Sequence, residues 1–518
     1  MLIVPAGNRN PLGIAPPTPN QIKFWRSNPL LLGSARPSSP PLPSPASLPR
    51  VKDHPMDIPN CAEFRRLQPL LSRRSLLELG MLGTIPPFVT PASAWANGRV
   101  AIPENSQFGN GNGFGKAKAC ILMFIWGGPS HLDTWDLKPN APAEIRGEFQ
   151  PIATTVPGIQ VSEHFPKLSQ RAEHLAIVRS VTHDDPAHLS SVHHLLTGRH
   201  AVQVKSDAIS PSRKDSPQIG SALARLRPSQ GLLPQAVTMP WMVNHPAAPG
   251  GTAPGQHAGW FGAAFDPFLV TGDPNHPTWQ VSGLRGIDGL PGSRLRSRES
   301  LLTSLDRSEP DSFGGLQQRA FEMLTAPEVD QAFDLNRESP ETRNRYGRHI
   351  HGQCLLLARR LVEAGVTFVC VNWHQDGSNF WDTHGDNFNR LKRDLMPPAD
   401  AGFSALLQDL EDRKMLDETL LVWVGEFGRR PQITPGNAGR EHWPWCGSAV
   451  LAGGGVRGGQ HYGRSDAHGG YPAEGATSPA DIAATMYHAL GVPPDLEVRD
   501  RQDRPLKLTE GQPLVTLF

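Results

Sequence analysis

At 518 residues the chain is long enough for one large α/β domain with insertions, and 50 Lys and Arg against 49 Asp and Glu give no reason to expect nucleic acid or an anionic membrane surface as a partner. Five cysteines, none in a C-x-x-C pair, argue against a thiolate zinc module and against a disulfide scaffold; Cys354 and Cys370 lie in apolar runs and read as inert core residues. Gly (51) and Pro (52) are abundant, which implies many loops.

Residues 1–55 are Pro- and Ser-rich without apolar periodicity and read as disordered, or as lying upstream of a true start at Met56. Residues 56–96 carry a targeting pattern: Arg73 and Arg74 precede a short apolar stretch, and Ala92, Ala94 and Ala96 offer an A-x-A cleavage site. The stretch is too short and too interrupted to span a bilayer. It resembles a bacterial twin-arginine export signal, which predicts a periplasmic or secreted protein whose mature chain, 97–518, begins near Asn97.

From there apolar runs of strand length alternate with helical patterns, the signature of a central, mostly parallel sheet between helices. "ACILMFIW" (119–126) and "HLAIVRSV" (174–181) read as buried strands. "GQCLLLARRLVEAGVTFVCVNW" (352–373) is a helix, a Gly stop at Gly365 and a strand; residues 400–428 repeat that unit. "GSAVLAGG" (447–454) adds a strand and "SPADIAATMYHALG" (478–491) a capped helix. Between about 200 and 345 the pattern dissolves into Pro/Gly-rich text with a few helices, read as an insertion or cap over the sheet.

Open α/β sheets bind ligands beyond the carboxyl ends of their strands, and four such ends are loaded with carboxylate and imidazole. The first strand leads into His131, Asp133 and Asp136, and the second into "THDDPAHLSSVHHLLTGRH" (182–200) with His188. The 366–373 strand leads toward "WDTHGDNF" (381–388), and the 419–424 strand toward Glu426 and His442. In an extended segment alternate residues point the same way, so Asp382 and His384 aim together at one ion; the competing reading is a polar turn. Asp386, before the following helix, reads as its N-cap. Hard carboxylates mixed with imidazole, and no thiolate, suit zinc, manganese or magnesium, with a two-metal arrangement open.

"GGPSHLDTWDLKP", "LLARRLVEAGVTFV", "WDTHGDNF", "LLVWVGEFGRRP", "GREHWPW" and "LAGGGVRGGQHYGRSD" together resemble the bacterial domain-of-unknown-function family numbered 1501, a branch of the alkaline phosphatase and sulfatase superfamily. The resemblance covers about residues 115–518. It implies an alkaline-phosphatase-like α/β sandwich, metal positions at the strand ends and a nucleophile at the start of a helix. Carried over, it implies metal ligands at Asp133, with His131 close by, and at Asp382, His384, Glu426 and His442. Phe427 stands where the superfamily has a histidine, so one ligand is missing or differently supplied. "HLSSVHHLLTGRH" resembles the sulfatase signature, but His188 occupies the modifiable position. No formylglycine forms from histidine, so His188 is read as a third metal ligand or a general base. Ser190 and Ser191 are the remaining nucleophile candidates, and Arg199, Arg429 or Arg440 the binders of an anion's oxygens.

Two functions follow from this reading. One is an exported, metal-dependent hydrolase of phosphate or sulfate esters, acting on a small anionic ester or a sulfated or phosphorylated glycan. The alternative is a non-catalytic relative of the same fold that binds a surface glycan or a partner protein.

Overall fold

A computed structural model describes residues 112–228, 231–284, 297, 300–301, 313–373 and 380–518. The segments 1–55 and 56–96, with Arg73 and Arg74, lie outside the described residues.

Strand β1 (Ala119–Phe124) is apolar at every position because both of its faces are covered. Ile121 and Met123 join one core, while Cys120, Leu122 and Phe124 join the other. The same alternation runs through β2 (Leu175–Val181), β5 (Phe368–Asn372) and β6 (Thr419–Val424), whereas β3 (Ala236–Met239) sends Val237 and Met239 to the first core and the two-residue β4 (Phe268–Leu269) leaves Leu269 exposed. A short ribbon of β7 (Gly428–Arg429) and β8 (His442–Trp443) stands apart from the sheet, which is completed by β9 (Gly447–Ala452) and β10 (Gln460–Tyr462). The eight strands lie in the order β10-β2-β9-β6-β1-β5-β3-β4. Only β9 runs antiparallel to its neighbours, β2 and β6, so the sheet is mostly parallel.

Helices close both faces. The one-turn α1 (His131–Thr134) follows β1 directly. Helices α2 (His188–Thr197), α3 (Ile219–Leu226) and, at the far end of the chain, α6 (Pro479–Ala489) pack through Leu189, Val192, Leu223, Ile482 and Met486 on one face. On the other, α4 (Ile350–Glu363) and α5 (Met396–Asp412) pack through Leu355, Leu356, Leu406 and Leu410. Two prolines, Pro397 and Pro398, stand in the first turn of α5, where the N–H groups they lack would have no partner within that helix, and the turn before them, Leu391–Leu395, is a π-helix. Helix α6 starts as expected, with a reciprocal capping box between Ser478 and Asp481.

The span 200–345, expected as an insertion or cap, also contributes elements of the central sheet and its covering layer. It supplies α3 and the two strands β3 and β4, which extend the sheet beyond β5 in parallel register. Their short lengths and Pro/Gly surroundings hid the strand signal. The four cysteines among the described residues are buried and unpaired, and burial pushes the Cys370 thiol up to about 12. Among the described residues no helix is long and apolar enough to cross a membrane.

Candidate functional site

Because β1, β2, β5 and β6 run parallel, their carboxyl ends share one edge of the sheet, and the chain leaving each supplies one part of a single cluster. The ribbon adds the rest by placing His442 directly opposite Arg429. Main-chain bonds hold the two long loops together. Asp386 N–H donates to the Asn437 carbonyl at 2.7 Å, Asn387 N–H to Ala438 at 3.1 Å and Arg440 N–H to Thr383 at 3.0 Å. Gly439 lies where a Cβ would meet the His384 carbonyl oxygen at 1.8 Å, so this approach of backbone to backbone requires glycine.

Three histidines converge on Asp382. His384 Nε2 lies 3.0 Å and His442 Nε2 3.2 Å from Asp382 Oδ1, with the two Nε2 atoms 2.8 Å apart. His188 Nε2 lies 3.5 Å from Asp382 Oδ2. Each ring is oriented from behind through Nδ1, by Glu441 at 2.5 Å for His384, the Pro186 carbonyl at 2.9 Å for His442 and Glu426 at 2.7 Å for His188. An acceptor behind each Nδ1 fixes the proton there and turns Nε2 toward the common centre, the arrangement that supports metal-binding histidines.

Electrostatics follow from these contacts. Burial alone would raise the Asp382 carboxyl, but Arg429 and the hydrogen bonds from His188, His384 and His442 hold it well below the usual range. For His188, burial pulls the pKa down while the bonded carboxylates of Asp382 and Glu426 outweigh it and push it up to about 9. Burial, aided by Arg429 and His188, lowers His442 to about 3, although Asp382 acts against it. His442 is therefore neutral, and with its proton on Nδ1 its bare Nε2 faces an ionised oxygen. A cation resolves that opposition. With zinc–nitrogen and zinc–oxygen bonds of about 2.0–2.1 Å, ligand atoms of a tetrahedral site lie about 3.3 Å apart, close to the observed 2.8–3.2 Å. The residues present thus fit a divalent ion held by Asp382, His384 and His442, with His188 alongside.

The wall around this centre is aromatic. Trp126 lies 4.9 Å and His245 5.4 Å, ring to ring, from His188, and Phe427 lies 4.9 Å from His188 and 4.5 Å from His442. Phe427 thus places hydrocarbon between His188 and His442.

Several residues expected at the centre are employed elsewhere. Glu426 is fully buried, but its carboxylate accepts from His188 and from Gly127 N–H at 2.9 Å, so it positions His188 and is not one of the converging donors. Asp133 is paired with Arg440 and accepts from Asn387 Nδ2 at 3.0 Å. Arg440 is fully buried, and its N–H groups serve Asp133 and the carbonyls of Arg430, Pro431 and Ile145. Arg429 is likewise buried; it binds the Gly127, Gly128 and Arg440 carbonyls and Asp382, and acts through that carboxylate. Arg199 is taken up by Glu510 and the Lys507 carbonyl. His131 bonds the Gly469 carbonyl at 2.8 Å, and Asp136 pairs with Lys138 and Ser465. Ser190 Oγ accepts from Ser206 N–H at 3.2 Å and Ser191 Oγ donates to the Asp185 carbonyl at 2.9 Å, and both serines are buried. Asp386 stands at the N-cap position but in the left-handed region, φ 50°, and its side chain makes no capping bond; it accepts from Asn389 at 2.6 Å instead.

Sequence reasoning missed Glu441, His245 and Trp126. Glu441 had a signal, since it directly precedes His442. His245 had none, because it comes from Pro/Gly-rich text and only the fold carries it to His188.

Among solved structures, the chain is similar to the PsFucS1 sulfatase from Pseudoalteromonas sp., at 12% identity over 77% of this chain and 71% of that one, with a TM-score of 0.36. It is similar to the phosphonate monoester hydrolase SpPMH from Silicibacter pomeroyi, at 12% identity over 77% and 76%, with a TM-score of 0.34. It is also similar to the TAB5 alkaline phosphatase, at 10% identity over 73% and 99%, with a TM-score of 0.32. No curated protein matches. The family described as Protein of unknown function (DUF1501) matches residues 117–518, and the chain belongs to it.

Proposed function

We propose that the protein is an exported, metal-dependent hydrolase of phosphate or sulfate esters. The observation that carries this reading is the convergence of three Nδ1-anchored histidines, His188, His384 and His442, on the single carboxylate of Asp382. Asp382, His384 and His442 would hold a divalent ion, most simply zinc, given two imidazoles, a carboxylate and no thiolate. Such an ion supplies Lewis-acid polarisation of an ester oxygen and activates water at neutral pH. His188, backed by Glu426, holds a proton at Nε2 and donates it to the departing alkoxide, or offers its charge to the substrate's anionic oxygens. Trp126 and Phe427 exclude bulk water on the His188 side and so strengthen each of these interactions. The substrate class is a small anionic ester or a sulfated or phosphorylated glycan.

Metal content of the purified protein, measured together with hydrolysis of aryl phosphate and aryl sulfate, tests the reading. Near-stoichiometric metal with turnover that is lost in His384→Ala supports it; no turnover by the metal-loaded protein overturns it. A second reading, a non-catalytic relative that binds a glycan or a partner protein, is favoured by the diversion of Ser190 and Ser191 and by Phe427 at a ligand position. Export by the twin-arginine route is part of the proposal. Replacing Arg73 and Arg74 together by Lys leaves the chain unprocessed in the cytoplasm if the guanidinium pair is what the route reads, and normal export of that variant refutes the route.

A further inference from the structure

We propose that the carboxyl end of α2 forms a second metal site, made by His194, His200 and Glu510, that takes a transition-metal ion of the zinc type. One ligand atom from each of these residues lies within 4.8 Å of the other two. The His194 and His200 ring centres are 4.0 Å apart. His194 is 4% exposed, and its Nδ1 is buried without a hydrogen-bond partner. Buried polar atoms are nearly always satisfied, so an orphaned imidazole nitrogen in a group of three metal-capable side chains points to a ligand. Two imidazoles and one carboxylate match zinc, leaving a fourth position for water.

The backbone holds these groups in place without an ion. Gly198 ends α2 in the left-handed region at φ 71°, and its N–H donates to the His194 carbonyl at 2.9 Å, which turns the chain so that His200 returns over His194. From the far end of the sequence, Glu510 N–H and Thr509 Oγ1 both donate to the Gly198 carbonyl at 3.0 Å. Glu510 Oε2 accepts from His200 N–H at 3.2 Å, and Arg199 approaches Oε1 at 3.2 Å, so the carboxylate is oriented before any ion arrives. The carboxyl end of a ten-residue helix carries partial negative charge, which favours a cation. His194 lies six positions after His188, roughly 9 Å along the helix, so the two sites are separate. An ion here would brace α2, whose first residue is His188, against the C-terminal segment.

The test uses the untagged full chain, stripped with a chelator and titrated with Zn²⁺ by calorimetry, in an Asp382→Asn/His442→Ala background that leaves the first site without its carboxylate and with His442 removed. One zinc per chain is expected to remain, and to raise the thermal midpoint. His200→Ala and Glu510→Gln change exposed side chains and leave the core intact; each is expected to weaken that remaining binding at least tenfold and to abolish the thermal shift. Absence of zinc binding in the Asp382→Asn/His442→Ala protein, or undiminished affinity in both further variants, overturns the proposal. Neither result bears on hydrolysis at the first site.

Discussion

Asp133 and Arg440 form a bidentate ion pair sealed from solvent, with Arg440 Nε 2.8 Å from Oδ2 and Nη2 3.0 Å from Oδ1. Removing one partner leaves the other charge buried and unpaired, which costs about 3–5 kcal/mol. Asp133→Ala is therefore expected to lower unfolding stability by about that amount while leaving metal content unchanged. Denaturant unfolding and metal analysis of the same preparation check it; loss of metal at unchanged stability would return Asp133 to the ligand set.

The first site makes the opposite demand. His384→Ala removes one of three converging donors, and metal affinity is expected to fall at least tenfold while the apolar strands stay folded. Asp386→Ala serves as the control, because among the described residues its carboxylate bonds Asn389 and approaches Arg393 no closer than 4.0 Å. Metal content is expected to stay at the parent level, with stability changed by less than about 1 kcal/mol.

Gly439→Ala tests the joint between the loops. The added methyl group would sit against the His384 carbonyl at 1.8 Å, so residues 383–387 and 437–440 must separate. Overpacking of this kind costs about 1–3 kcal/mol, and here it also moves His384 away from His442, so metal loss and destabilisation are expected together. A variant that keeps full metal content shows that the loops tolerate the shift.

Asp215 supplies a pH dependence away from both sites. Burial pushes its carboxyl up to about 6, with the Ser212 N–H acting in the other direction. The folded pKa is above the unfolded value of 3.8, so the stability it contributes is complete below pH 3.8 and is lost as pH rises through about 6. Asp215→Asn, neutral throughout, is expected to match the parent near pH 4 and to become the more stable of the two by pH 7. Thermal unfolding across that range reads the crossover; parallel curves would show that the carboxyl is ionised as easily folded as unfolded.

Alternation of apolar runs with helical patterns was enough to place β1, β2, β5, β6 and β9, because a strand buried on both faces and a helix buried on one must announce themselves in side-chain polarity. Strands β3 and β4, at one end of the sheet, are too short for that signal. Asp382, His384, His188 and His442 were legible as chemistry-bearing groups because each follows a strand end, where a parallel sheet gathers its ligands. Which acid meets which base was decided only by tertiary structure. Asp133 and Asp382 both follow buried strands with histidines nearby, yet one faces Arg440, 307 positions away, and the other a ring of imidazoles. Glu426 lies behind His188, 238 positions away, and Glu510 reaches His200 across 310. Local periodicity reports whether a side chain is buried, whereas its partner is set by contacts between segments remote in the chain, and no pattern along one strand encodes them.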